Sequence, residues 1–373
     1  MSQSTKQIAA ALAVQLADRI RQEGRITFRD WMAAALYHPT FGYYNRLDLK
    51  RWGREGDYRT SPERSQLFAA TFARYFATLY DRMHRPSQLT IVEIGAGDGR
   101  FASRVLDALE EKYPSVFSVT RYVVVDRSED ARRRTTEELQ RFAGRVNVEC
   151  CAELETIQSG IVFSNELLDA FPVHRVKCSD GELKELYVTL EGDFDFSWSP
   201  GELSSTRLLQ FCQKHIPPLC EGQIVDVNLG IEDWFSDLAK KLVSGYLITV
   251  DYGAESHDMY DSSIRHAGTL RAFRRHEFVD EVLEAPGEYD ITSSVDWSYV
   301  KLEGQHHGFE VEEFAALDKF LLGAGVLEEL EIRLAALSSD AEKSCLTTAA
   351  REMILPIGMA ASFQVLVQKQ SVP

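Results

Sequence analysis

The segment Ile91 to Arg100, which reads Ile-Val-Glu-Ile-Gly-Ala-Gly-Asp-Gly-Arg, constrains the fold more than any other part of the chain. A short apolar run carries an acid near its end, and glycines then occupy every second position, at Gly95, Gly97 and Gly99. Such a run reads as a buried strand that turns tightly into a helix, the repeating unit of a parallel α/β sheet. The spacing also discriminates between ligands. A dinucleotide site needs Gly-x-Gly-x-x-Gly, in which the third glycine lets the helix pack close and aim its N-terminus at a pyrophosphate. Arg100 stands at that third position, which disfavours a nicotinamide-dependent oxidoreductase. Three alternate glycines instead leave bare backbone, which a ligand with a charged tail and no pyrophosphate can approach closely. An ordinary strand-to-helix turn is the competing reading.

The next strand bears on that choice. Arg121 to Asp126 is short, β-branched and acidic at its end, and Asp126 lies 31 positions after Gly95. A carboxylate there can accept both hydroxyls of a ribose, although it also suits a cap for the helix expected from Ser128. Alternating strands and helices continue, with strands expected at Thr90–Ile94, Tyr122–Asp126, Val146–Cys150, Gly160–Ser164 and Gly245–Asp251, and a terminal strand over Ala361–Gln368. Together with the glycine loop, this resembles the class I S-adenosylmethionine (SAM) methyltransferases. The resemblance implies a Rossmann-like seven-stranded sheet whose last strand is antiparallel, with SAM as cofactor. Glu93, Gly95, Gly97, Gly99 and Asp126 would be the cofactor-binding residues. Ala152, Glu153 and Asn165 would join them, the first two because enzymes of this class often contact adenine there.

Residues 1–86 read as a helical N-terminal extension and 87–373 as the SAM-binding domain, interrupted by substrate-side insertions at about 176–223 and 254–300. The extension holds an amphipathic helix over Gln7–Ile20 and a short helix over Phe28–Tyr37. Ser61 and Pro62 suit the cap and first residue of a further helix running through Gln66, Phe68, Phe72 and Phe76. Within the first insertion Lys184–Leu190 reads as a strand, while the second is polar and loop-rich.

Composition removes several classes of partner. The net charge of −16 argues against nucleic acid, which calls for a basic face, and against an anionic membrane surface. No apolar run approaches membrane-spanning length. Six cysteines without C-x-x-C spacing or nearby histidines give no metal site. The expectation is a cytoplasmic protein with reduced thiols, and a homodimer is compatible with it.

The acid-rich segment Asn165-Glu166-Leu167-Leu168-Asp169-Ala170-Phe171-Pro172-Val173-His174 follows the fourth strand. In open α/β sheets the ligand lies at the carboxyl ends of the strands. Methyl transfer is an in-line displacement, so alignment of the nucleophile is the protein's main task. Glu166, Asp169 and His174 are the catalytic candidates, with carboxylates suited to orient a guanidinium through charge-assisted bonds. The same residues also suit a helix start, with Asn165 as cap and the acids favoured by the dipole. His174 and His276 read equally as hydrogen-bonded structural histidines.

Taken in order, several motifs resemble the MidA family, SAM-dependent methyltransferases related to the mitochondrial complex I assembly factor that methylates arginine in a respiratory subunit. They are Phe41-Gly42-Tyr43-Tyr44, Gly56 to Glu63 with Gln66-Leu67-Phe68, the glycine loop, Asn165 to His174, Asp251-Tyr252-Gly253, Gly268-Thr269-Leu270 with His276, Pro286-Gly287, Asp290-Ile291-Thr292 and Val295-Asp296. The resemblance runs from Phe28 to Gln368 and implies protein arginine N-methylation, with an arginine-bearing protein as partner. The chain departs from the family at Ala96, Asp98 and Arg100, where proline, arginine and threonine are common. These departures keep Glu93 and the glycines. They leave as alternatives a small-molecule acceptor of N- or O-methylation, and an assembly factor that binds SAM without turnover.

Overall fold

A computed structural model describes residues 3–49, 51, 66–274, 277–355 and 362–371. Ser61 and Pro62, the motif from Gly56 to Glu63, His276 and Ala361 lie outside the described residues. The chain divides into two compact units, Met1–Tyr58 with Leu168–Trp234 and Gly253–Glu303, and Arg59–Leu167 with Phe235–Tyr252 and Gly304–Pro373.

The second unit is built on the six strands expected from the sequence and one more, Phe309–Ala316, where no strand was expected. Its strands are β1 Leu89–Ile94, β2 Thr120–Val125, β3 Val146–Glu149, β4 Gly160–Asn165, β5 Gly245–Ala254, β6 Phe309–Ala316 and β7 Phe363–Gln370. Their spatial order is β3-β2-β1-β4-β5-β7-β6. β1 to β5 pair in parallel, whereas β7 is antiparallel to both of its neighbours. This is the seven-stranded Rossmann-like sheet of class I methyltransferases. Central parallel strands are covered on both faces and therefore read as unbroken apolar runs, and β4 is buried from Gly160 through Ser164. The order reverses between β1 and β4, and at such a switch point the carboxyl ends of the strands open a crevice for ligand.

Helix Gln66–Arg82 belongs to this unit. Its Phe72 ring sits 5.0 Å from Phe163 of β4, and Phe101 of helix Arg100–Lys112 stacks on Phe163 at 4.6 Å. The aromatic face of this helix covers the sheet. Burying Phe72 alone contributes roughly 1.5–3 kcal/mol.

The first unit has its own sheet, with Ile26–Thr27, Glu182–Leu190, His174–Ser179 and Ile224–Val227 in that order and Phe196–Gly201 also on Glu182–Leu190. All of these pairs are antiparallel. Helix Phe28–Tyr37, as expected, buries Phe28, Trp31 and Met32 in a core shared with Leu12, Leu16 and Ile20 of helix Gln3–Glu23. Stretch 254–300 is not the loop its polarity suggests. It forms a three-stranded sheet from Arg271–Arg274, Glu277–Phe278 and Asp290–Thr292. Within it the part-buried Asp296 accepts from Ser256 Oγ at 2.8 Å and Tyr260 Oη at 3.0 Å.

Several motifs of the sequence act here as fasteners. Tyr44 Oη donates to Asp290 Oδ1 at 2.7 Å, joining Phe41-Gly42-Tyr43-Tyr44 to Asp290-Ile291-Thr292. Gly287, at φ 82°, lies so close to the same motif that a Cβ would stand 2.4 Å from Phe41 O, so only glycine fits.

Candidate functional site

β1 delivers Glu93 and the glycine loop to the carboxyl edge of the second unit. Gly95, Gly97 and Gly99 have φ of 76°, 62° and 78°. All three are left-handed, a conformation L-residues adopt at a cost and glycine adopts freely. The turn is closed by Gly95 N–H on Val125 O at 2.9 Å, and Gly99 precedes helix Arg100–Lys112. A Cβ at Gly99 would meet Thr135 Cα at 3.0 Å, so this glycine also serves helix packing.

Glu93 is 4% exposed, and its Oε2 accepts from Tyr122 Oη at 2.8 Å. Burial pushes the carboxyl up to about 8, opposed by the Tyr122 hydrogen bond and assisted by the charges of Asp98 and Asp126. Asp98 is itself raised, chiefly by burial, with Arg100 opposing. A carboxyl held this high is a reserve of negative charge that a cation can call out.

Tyr122 was not among the sequence candidates. Its signal lies in the strand register: Tyr122 pairs with Ile91, two residues before Glu93, which makes it a diagonal neighbour on one face.

Asp126 follows β2, and its Oδ1 accepts from Ser128 N at 2.8 Å. The cap of helix Glu129–Glu138 is Ser128, whose Oγ accepts from Ala131 N at 3.1 Å. The capping reading of Asp126 therefore passes to Ser128. Ser128→Ala is expected to cost about 1 kcal/mol of stability, measured by thermal unfolding with and without ligand; an unchanged midpoint would contradict the capping role.

Ala152 and Glu153 lie in the short 3₁₀ turn Cys151–Glu153 after β3. Glu153 Oε2 accepts from Cys150 N at 2.7 Å, and that bond holds the carboxyl below its ordinary value. This side chain caps its own turn.

At the end of β4, Asn165 Nδ2 donates to Glu166 Oε1 at 3.0 Å. Glu166 has φ 51°, uncommon for a residue other than glycine. Its N–H bonds Val250 O at 2.9 Å, and the N–H of Leu167 bonds Asp251 Oδ2 at 3.1 Å, so β5 fixes the turn. The second unit thus brings together Glu93, the three glycines, Asp126, Asn165 and Glu166 on one sheet edge.

Asp169 and His174 fall in the first unit. Asp169 is buried, and its carbonyl accepts from Ser293 N at 2.9 Å. His174 Nδ1 lies 2.8 Å from Glu185 Oε1, and Glu185 Oε2 accepts from Ser204 N at 2.6 Å.

SAM fits the edge of the second unit on its own chemistry. The buried Glu93 carboxyl suits a cationic tail, Asp126 suits ribose hydroxyls, and the left-handed glycines leave backbone open between them. Among the described residues no group of His, Cys, Asp and Glu could hold a metal ion, and no helix is long and apolar enough to cross a membrane.

Comparisons with known proteins bear on the fold and on the cofactor. The family model Methyltransf_28, for S-adenosyl-L-methionine-dependent methyltransferases, matches residues 71–315. The mitochondrial protein arginine methyltransferase NDUFAF7 homolog of Caenorhabditis elegans is 30% identical over 311 residues, covering 76% of this chain and 70% of its own. The mitochondrial protein arginine methyltransferase NDUFAF7 of Homo sapiens is 26% identical over 314 residues, covering 77% and 67%. A crystal structure of a COG1565 superfamily member from Burkholderia thailandensis, bound to S-adenosyl-homocysteine, superposes with a TM-score of 0.89 at 27% identity, covering 99% of this chain and 94% of that one. A chain with this sheet, this loop and these relatives belongs to the Methyltransf_28 family of S-adenosyl-L-methionine-dependent methyltransferases.

Proposed function

We propose that this methyltransferase transfers the methyl of SAM to an arginine side chain of a protein. The observation that carries the reading is the similarity to relatives named as protein arginine methyltransferases across three quarters of the chain. The net charge of −16 supports a cationic acceptor through long-range attraction.

In this reading SAM, when bound, supplies a methyl group activated by the sulfonium. Glu93 answers the positive charge of the cofactor's tail, Asp126 takes the ribose hydroxyls, and Gly95, Gly97 and Gly99 admit the tail to the backbone. Glu166 orients the guanidinium, since a carboxylate accepts its N–H groups in a charge-assisted pair. The attacking nitrogen forms its bond to carbon as the carbon–sulfur bond breaks. The electron pair goes to sulfur, the product is a neutral thioether, and the nitrogen's proton leaves to solvent. Holding the two partners in line is the protein's contribution, since effective molarity from orientation alone is large.

The test follows tritiated methyl from SAM into protein and small molecules of an extract from the source organism, with Gly97→Val as the inactive control. Enzyme-dependent label recovered as methylarginine after hydrolysis of one protein band is the expected result. Label confined to small molecules would replace the arginine reading with metabolite methylation.

A further inference from the structure

The amide of Asn165 carries an acceptor that the reading above leaves idle. Nδ2 donates to Glu166 Oε1 at 3.0 Å, which fixes which way the amide faces, because only the nitrogen can donate to a carboxylate. Oδ1 is buried and receives no hydrogen bond from any described residue. Native proteins leave few buried acceptors in that state, since each forfeits its hydration. The next residue is also held out of its ordinary conformation. Glu166 stays at φ 51° because Val250 O and Asp251 Oδ2 grip the turn on both sides of it. Backbone strain and an unmatched acceptor on adjacent residues point to a contact that a ligand completes.

The chemistry of that contact follows from what an amide oxygen can do. It accepts a hydrogen bond and is no base, so it cannot relieve a hydroxyl nucleophile of its proton. A nitrogen nucleophile is different. It keeps an N–H while its lone pair attacks, and an acceptor on that hydrogen turns the lone pair toward the methyl. The cofactor's own cationic and hydroxyl groups have full carboxylates at Glu93 and Asp126, on β1 and after β2, and do not call for a neutral acceptor on β4.

We propose that Asn165 Oδ1 accepts an N–H from the nitrogen that receives the methyl, with Glu166 Oε1 holding the Asn165 amide in place in addition to its contact with the guanidinium. The inference rests on methyl transfer to nitrogen and assigns the residue that selects nitrogen over oxygen. Asn165 takes up no proton in this role.

The test compares wild type, Asn165→Ala and Asn165→Leu in two measurements. One is S-adenosyl-homocysteine affinity by calorimetry, and the other is tritiated-methyl transfer to the extract protein that wild type labels. Asn165→Ala is expected to keep affinity within threefold and to lower kcat at least thirtyfold. Asn165→Leu, which keeps the branched shape but carries neither acceptor nor donor, is expected to lose kcat as Asn165→Ala does while keeping affinity within threefold. Affinity lost more than tenfold in both variants would make Asn165 a cofactor contact and overturn the proposal, as would unchanged kcat in Asn165→Ala. Should Asn165→Ala fail to fold, unchanged kcat in a folded Asn165→Leu would overturn the proposal in its place. The arginine reading fails separately: label that is not methylarginine, with the Asn165→Ala loss intact, would leave Asn165 in its role and change only the nitrogen it serves.

Discussion

Glu93→Gln is expected to gain stability over wild type as pH rises, while losing affinity for SAM. The carboxyl sits at about 8 in the folded chain against an ordinary value of 4.5, with burial as the main cause. Because the folded-state value is the higher one, the folded protein holds the proton more tightly than the unfolded chain between pH 4.5 and 8. Stability is therefore fully present below pH 4.5 and falls as pH climbs through 8. The loss amounts to about 5 kcal/mol once Glu93 is ionised in both states. Glutamine carries no proton to lose, and its amide oxygen still accepts from Tyr122 Oη. Its midpoint of thermal unfolding should match wild type near pH 4.5 and exceed it by on the order of 10 °C at pH 9. In the bound state the sign reverses in use. A cation beside Glu93 favours the ionised form, so binding near pH 7 should release a proton in wild type and not in Glu93→Gln, seen by calorimetry in buffers of different ionisation enthalpy. Equal midpoint differences at both pH values would show that Glu93 does not titrate in this range, and equal proton release would separate it from the cofactor.

Much of the second unit was readable because a parallel sheet writes itself as apolar runs. β1, β2, β4 and β5 fall within two residues of the expected bounds at their start, and β5 alone runs on by three residues, to Ala254. The glycine loop was readable for a different reason, since alternate glycines have few uses other than bare, left-handed backbone. What escaped the sequence was set by distant partners. The packing of helix Gln66–Arg82 on the sheet is one case, because nothing local says that Phe72 will pack on Phe163, ninety-one positions later. Stretch 254–300 looked like loop because acids such as the part-buried Asp296 are satisfied by hydroxyls that carry no periodic signal. The pairing of Tyr122 with Glu93 needed the register of two strands. The facing of the Asn165 amide, and the strain at Glu166, are facts of geometry that composition cannot hold.

Gly97→Val tests the loop itself and should cost at least a thousandfold in S-adenosyl-homocysteine affinity, about 4 kcal/mol. Gly97 sits between two other left-handed glycines at φ 62°. Valine there is disfavoured twice, by its Cβ and by its β-branch. The loop can escape only by turning the residue back to negative φ, which moves the peptides on both sides and spoils the open backbone at Gly95 and Gly99. Affinity is thus lost by rearrangement as well as by the bulk of the side chain. Gly99→Val makes the useful comparison. At Gly99 a Cβ meets backbone, Thr135 Cα at 3.0 Å, so this substitution should lower the unfolding midpoint of the ligand-free protein more than Gly97→Val does. Gly97→Ala adds the conformational cost with little bulk and should fall between wild type and valine. The ordering of affinity, wild type above Gly97→Ala above Gly97→Val, is the expected signature of a ligand lying against the backbone. Binding by Gly97→Val within tenfold of wild type would place the cofactor's tail elsewhere and leave the three glycines as parts of a turn.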